Sequence, residues 1–102
     1  AKPWISHYTK TKKEMEGYYL SNKKQGFWTS WYRNRQKKSE GVYELGIKDG
    51  HWISWYSNGQ KLQEGMCIEG KHYGDWIAYN HDGTIDSVVK FWTGEVKDRP
   101  SF

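Results

Sequence analysis

The chain has one cysteine, Cys67, and nothing approaching the roughly 18 consecutive apolar residues of a membrane-spanning helix. A lone thiol excludes an internal disulfide and leaves the redox compartment open. No signal peptide is visible. The opening at Ala1 instead of a methionine suggests that an upstream segment was removed. A cytoplasmic location is the first expectation, with a processed or exported form as the alternative. Aliphatic residues are scarce as well, with only three Leu, six Ile and four Val among 102 residues. At a mean hydropathy of −1.06, that poverty would ordinarily signal disorder. Seven Trp, eight Tyr and three Phe contradict it, because each ring can bury about 150–250 Å². A thick aliphatic core is excluded; a thin sheet covered by rings is not.

Two further absences narrow the reading. No stretch keeps the apolar period of about 3.6 residues that a helix requires. No Ser/His/Asp order, Gly-rich phosphate loop or GxGxxG is present, so catalysis is not expected. The charge of +4 is uneven. Residues 1–50 hold 11 basic and 5 acidic side chains (+6), whereas residues 51–102 hold 5 and 7 (−2). Lys10, Lys12, Lys13, Lys23, Lys24, Arg33, Arg35, Lys37 and Lys38 crowd the first half. Such asymmetry marks either an anionic partner or the solvation of a sheet with little other polar cover.

What the chain does have is a period. Trp4, Trp28, Trp52 and Trp76 recur every 24 residues. Gly17, Gly41 and Gly65 keep the same spacing, as do Gly26, Gly50 and Gly74, and Glu16, Glu40 and Glu64. Tyr19, Tyr43, Cys67 and Phe91 form another column, and Asn22, Gly46, Gly70 and Gly94 a further one. The chain is therefore one domain of four copies of a 24-residue unit, about 4–27, 28–51, 52–75 and 76–99, the last the most degenerate.

Within the clearest unit, two aromatic runs of period two flank Asn58-Gly59, which predicts a type I′ hairpin turn. Gly70-Lys71 suits a type II′ turn at the next connection. These turns place Trp28, Gly41, Trp52, Gly65 and Trp76 in one row, each Trp over a Gly of the adjacent strand. A second row pairs Tyr43 with Gly50 and Tyr19 with Gly26. A ring lying across bare backbone restores the burial that Gly forgoes. Trp31, Trp55, Ile53, Leu62, Val42 and Met66 fall on the opposite face. The expectation is an all-β antiparallel meander of consecutive hairpins, eight to nine strands in a single-layer repeat sheet stabilised by nearest neighbours.

The string GHWISWYSNGQKLQEG followed by GDW resembles the MORN-variant repeat, whose bacterial arrays include the YwqK-type antitoxins. The resemblance runs from Trp4 to about Asp98 and rests on Gly-x-Trp, Trp-Tyr-x-Asn-Gly and Glu-Gly. Departures are Arg35 and Thr11 in place of the turn Gly, and Tyr79-Asn80-His81-Asp82-Gly83 with Val89 in the fourth copy. The resemblance implies a hairpin array used for binding and, in some members, neutralisation of a toxin.

Candidate chemistry is thin. His7 fills the slot of Trp31, Trp55 and Tyr79. His51 aligns with Phe27 and Asp75, His72 aligns with Lys24 and Lys48, and His81 adjoins the Asp82-Gly83 turn. None has ligand spacing to another His, Cys or carboxylate, so neither a metal nor a cofactor is expected. Glu16, Glu40 and Glu64 read as a ladder with neighbouring Lys and Arg, since paired-carboxylate catalysis needs an enclosing cleft. Cys67 sits in a Tyr/Phe column and reads as a small buried filler, because a reactive thiol needs a His or helix N-terminus beside it.

The periodic Trp residues are structural. Trp31, Tyr32, Trp55, Tyr56, Tyr73 and Trp92 are freer, and exposed Trp, Tyr and Arg dominate interface hot spots. Trp31, Tyr32, Arg33, Arg35, Trp55, Tyr56 and Tyr73 are the candidate partner-binding residues. The leading expectation is a protein-binding module whose partner is another protein, such as a toxin. The alternative is an anionic surface, phospholipid or nucleic acid, held by the basic half. Edge-to-edge self-association is the third.

Overall fold

The computed structural model describes residues 2–10 and 12–91. Thr11, Trp92 and Gly94, singled out in the sequence, lie outside the described residues. Eight strands form one sheet: β1 (Lys2–Thr9), β2 (Lys12–Leu20), β3 (Lys23–Trp31), β4 (Lys37–Glu44), β5 (Ile47–Trp55), β6 (Lys61–Ile68), β7 (Lys71–Tyr79) and β8 (Ile85–Phe91). Their spatial order is their chain order, and every neighbouring pair is antiparallel. The all-β meander expected from the period is the fold, and no helix occurs among the described residues. The sheet measures 48 × 39 × 15 Å, with a radius of gyration of 15.3 Å. A compact chain of this length would have about 13 Å. Among the described residues no second layer is stacked on the first.

Two kinds of connection alternate. Ser21-Asn22, Leu45-Gly46 and Glu69-Gly70 are two-residue turns with positive φ at both positions, which is type I′. Ile68 pairs with Lys71, so the type II′ turn expected at Gly70-Lys71 is instead a type I′ turn one residue earlier. The other connection is also not what Asn-Gly suggested. Gly59 N–H donates to Tyr56 O at 3.0 Å and Tyr56 N–H to Gln60 O at 2.8 Å. Gly59 takes φ 92° while Asn58 keeps a negative φ. That is a three-residue loop, a type I turn closed by a left-handed residue. The loops at 33–35 and 81–83 repeat it. Arg35 occupies the left-handed position of its loop at φ 72°.

The tryptophan row is as the register required. Trp28 faces Gly41 and Trp52 faces Gly65 across one ladder, and Gly41 faces Trp52 across the next. Each ring lies over the Gly of the preceding strand: a Cβ placed on Gly17, Gly41 or Gly65 would overlap Cδ2 and Cε2 of Trp28, Trp52 or Trp76. Beside each glycine the ladder breaks, between Glu16 and Tyr18, Gly41 and Tyr43, and Glu64 and Met66. The indole mends the break. Trp28 Nε1–H donates to Tyr18 O at 3.0 Å, Trp52 to Val42 O at 3.0 Å and Trp76 to Met66 O at 2.9 Å. A phenylalanine would cover the glycine but leave that carbonyl without its donor.

The outer face of each ring is covered as well. Lys24 and Lys48 Nζ lie 4.9 and 4.6 Å from the rings of Trp28 and Trp52, and His72 stacks on Trp76 at 3.9 Å. Tyr19 and Tyr43 meet the indoles edge-on. Cys67, in the same column, is 1% exposed and fills the space between Trp52 and Trp76.

The second expected row does not form. Tyr43 pairs with Lys48 and Tyr19 with Lys24, because the type I′ turns shift the register by two residues relative to a Gly70-Lys71-type closure. Gly26, Gly50 and Gly74 sit at φ 79°, 133° and 69° with no ring over them. They serve backbone conformation where the strand bulges, not ring cover.

Candidate functional site

The seven residues singled out for binding separate into two places. Trp31, Tyr32, Arg33, Arg35, Trp55 and Tyr56 gather at the end of the sheet that carries the three-residue loops. Tyr73 follows the Glu69-Gly70 turn at the opposite end. There it lines an open depression with His51, Glu64, Met66, Asp75 and Ile77.

At the loop end, the tyrosines are engaged in holding hairpins together. Tyr8 O–H donates to Trp31 O at 3.0 Å, Tyr32 to Trp55 O at 2.6 Å and Tyr56 to Tyr79 O at 2.7 Å. Asn34 and Asn58 reach from one loop to the next, donating to Ser57 O at 2.7 Å and His81 O at 3.0 Å. Each bond spans one repeat. Tyr32 and Tyr56 are half-buried, and His81 stacks on Tyr56 at 4.0 Å.

Trp31 and Trp55 are half-buried on the face opposite the tryptophan row, with Lys13 Nζ 5.9 Å from one ring and Lys37 Nζ 5.6 Å from the other. Those lysines also pair with Glu16 and Glu40, and Lys61 pairs with Glu64. The acidic column is thus a ladder of Lys–Glu pairs. Glu64 differs in also accepting from Tyr79 O–H at 2.5 Å. That bond, helped by Lys61, holds the Glu64 carboxyl below its ordinary range and pushes the Tyr79 phenol up. His51 stands 3.8 Å from the same carboxylate. Burial pushes the Cys67 thiol up, which makes it a poorer nucleophile. Among the described residues no group of three or more His, Cys, Asp or Glu could hold a metal ion.

Two surfaces remain open. The first is basic. The 33–35 loop reaches β1, with the Arg33 guanidinium 4.7 Å from the ring of Tyr8. Arg33 and Arg35 lie in that loop and Lys38 Nζ stands 5.8 Å from the ring of Tyr32; these three, with Lys10 and Lys12, have no carboxylate partner among the described residues. Five cations without carboxylate partners toward this end of the sheet make a field that favours anions.

The second surface is apolar and was not singled out in the sequence. Ile5, Tyr18 and Phe27 are 44%, 50% and 55% exposed. With Pro3, Glu16 and Thr29 they line one depression across β1, β2 and β3, on the face opposite the tryptophan row. The signal was present in the columns: Phe27 is the aromatic member of a series whose other members are Pro3, His51 and Asp75. No family model matches the chain, and neither a curated protein nor a solved structure matches it.

Proposed function

We propose that this chain is a non-enzymatic, protein-binding repeat module of the MORN-variant kind, serving as an antitoxin- or immunity-type partner of a bacterial toxin. The observation that carries the reading is the Ile5–Tyr18–Phe27 patch with Pro3 on an open sheet face. A patch of exposed rings bordered by Glu16 and Thr29 has the make-up of a protein-binding surface. It stands on a scaffold whose indoles are spent on backbone cover, which leaves it rigid and so suited to docking without rearrangement. The hairpin motifs support the family reading, and the toxin-directed role rests on that resemblance. Trp31, Trp55, Arg33 and Arg35 stand at the loop end of the same sheet and are not among the residues that line this depression.

The experiment is affinity capture from the native host with the parent chain and with a Tyr18→Asp/Phe27→Asp variant. A stoichiometric protein recovered by the parent and lost by the variant supports the reading. Recovery of no protein at stoichiometric level, or equal recovery by both, counts against it.

A second reading is favoured by the basic corner: Lys10, Lys12, Arg33, Arg35 and Lys38 would hold a phosphate-bearing surface, phospholipid or nucleic acid. It predicts binding to anionic vesicles or oligonucleotides that weakens with salt by about one log–log unit per phosphate contacted. Arg33→Ala/Arg35→Ala should lower that slope by about two. Binding insensitive to salt would remove it.

A further inference from the structure

The repeat is strict where every copy of the unit has the same duty. Gly17, Gly41 and Gly65 recur because one added Cβ would strike the covering indole. Glu16, Glu40 and Glu64 recur, and each pairs with the lysine three residues before it. Two columns between these do not recur. Pro3, Phe27, His51 and Asp75 form one, and they face in turn Tyr18, Val42, Met66 and Lys90, which form the other. Together they make a single row across the sheet, on the face opposite the indoles. None of the eight is buried, although the glycines and indoles adjoining them in the chain, from Gly17 to Trp76, are. Repeat arrays bind along such open, continuous surfaces, where the residues are released from scaffold duty.

The chemistry of the row runs in one direction. From β1 to β4 it is apolar; from β5 onward His51 and Asp75 are polar, with Met66 between them. The two depressions on this face are one place in the unit, two repeats apart: Glu16, Tyr18 and Phe27 line the first where Glu64, Met66 and Asp75 line the second. The first offers rings to an apolar side chain. The second puts two carboxylates beside Met66 and Ile77. Lys61 balances Glu64, with His51 3.8 Å from the same carboxylate. Asp75 is exposed and makes no ion pair among the described residues, with Lys90 across the ladder or with any other cation. A long cationic side chain complements this arrangement, its methylenes on Met66 and Ile77 and its head at Asp75.

The sheet fixes the distance between the two places. Neighbouring strands lie about 4.8 Å apart, so Phe27 on β3 and Asp75 on β7 are separated by about 19 Å. An extended chain rises about 3.3 Å per residue and covers that distance in about six. An even number of steps returns the side chain to the same side of an extended chain, so both anchors face the sheet. We propose that this row seats an extended segment of the partner protein, laid across the strands, with an apolar side chain at Phe27 and an arginine or lysine about six residues away at Asp75. The proposal rests on the protein-binding reading of the Ile5–Tyr18–Phe27 patch and adds the chemistry of what that patch receives.

The test is an NMR titration of the full chain with a synthetic Thr-rich peptide that carries Leu and Arg at that spacing. The amide signals of Phe27, His51 and Asp75 should shift together, with one dissociation constant. Moving Arg one residue closer to Leu turns it away from the sheet and should weaken binding about threefold, the worth of an exposed ion pair. Replacing Arg by Glu sets a like charge against Asp75 and should weaken it about tenfold. Asp75→Lys should reverse the preference, losing the Arg peptide and gaining the Glu peptide by similar factors, an exchange that a general loss of structure would not produce. Shifts confined to Tyr18 and Phe27, indifferent to the peptide's charge and to Asp75→Lys, would overturn the cross-strand seat while leaving the patch as a binding surface. No shift with any of these peptides, or a parent that prefers the Glu peptide, would overturn the seat too, and the Tyr18→Asp/Phe27→Asp capture judges the patch separately.

Discussion

Replacing Gly41 by alanine isolates the interaction on which the sheet depends. Gly41 is not among the residues with positive φ, so its backbone accepts alanine without strain and only space is at issue. The added methyl would overlap Cγ, Cδ2 and Cε2 of Trp52, and the ring must lift. Trp52 is 6% exposed. Its N–H bond to Val42 O (3.0 Å), its edge contact with Tyr43 (5.0 Å) and the Lys48 ammonium above it (4.6 Å) all depend on its present position. Complete loss of a buried Trp costs about 3–5 kcal/mol. A partial lift that also strands a carbonyl costs about 3 kcal/mol. For a domain of this size that lowers the melting temperature by about 12–24 °C. The assay is thermal and urea unfolding of Gly41→Ala beside Gly26→Ala. At Gly26 a Cβ meets nothing within 4 Å, but φ is 79°, so the left-handed conformation alone should cost about 1–2 kcal/mol. If Gly41→Ala melts with the parent, or costs no more than Gly26→Ala, the ring-over-backbone reasoning is refuted.

Three further outcomes are expected. Tyr32→Phe and Tyr56→Phe each remove one inter-repeat bond and should cost about 1 kcal/mol in urea titrations, the two losses adding if the clasps act independently. Arg35→Gly relieves a left-handed non-glycine residue and should raise stability by about 1 kcal/mol; a loss would show that the Arg35 side chain holds the loop. Glu64 has a folded-state pKa below its unfolded value. Its contribution is therefore full above the ordinary glutamate range near about 4.3 and is lost as pH falls through the lower, folded value. Between neutral pH and that acid range the parent should lose more melting temperature than Glu64→Gln does, and parallel curves for the two would contradict the assignment.

The period of 24 residues made the strand count, the order and the tryptophan-over-glycine row legible, because a repeat fixes where each ring falls relative to its neighbour's backbone. The breaks in the ladder were not legible. They exist where an indole N–H takes over a carbonyl from the adjacent strand, a competition that no pattern of apolar and polar residues displays. For the same reason Gly26, Gly50 and Gly74 looked like a second covered row when they are bulge residues at positive φ. Asn58-Gly59 misled because only Gly59 takes a left-handed conformation, while the Asn58 side chain accepts from Gln60 N–H and bridges to the next loop. At the candidate site, Tyr8, Tyr32 and Tyr56 recur at 24 residues, and that recurrence already pointed to a structural duty. Phe27, the aromatic member of a column otherwise made of Pro3, His51 and Asp75, was the visible sign of the exposed patch.

Hydrogen exchange of the indole N–H groups, followed by NMR, tests the central architecture most directly. Three of the described tryptophans, Trp28, Trp52 and Trp76, donate to backbone carbonyls of the preceding strand. Their signals should exchange only with global unfolding, while those of Trp4, Trp31 and Trp55 exchange orders of magnitude faster. Uniform exchange across all six, or protection confined to Trp31 and Trp55, would contradict a sheet built on indoles laid over glycine.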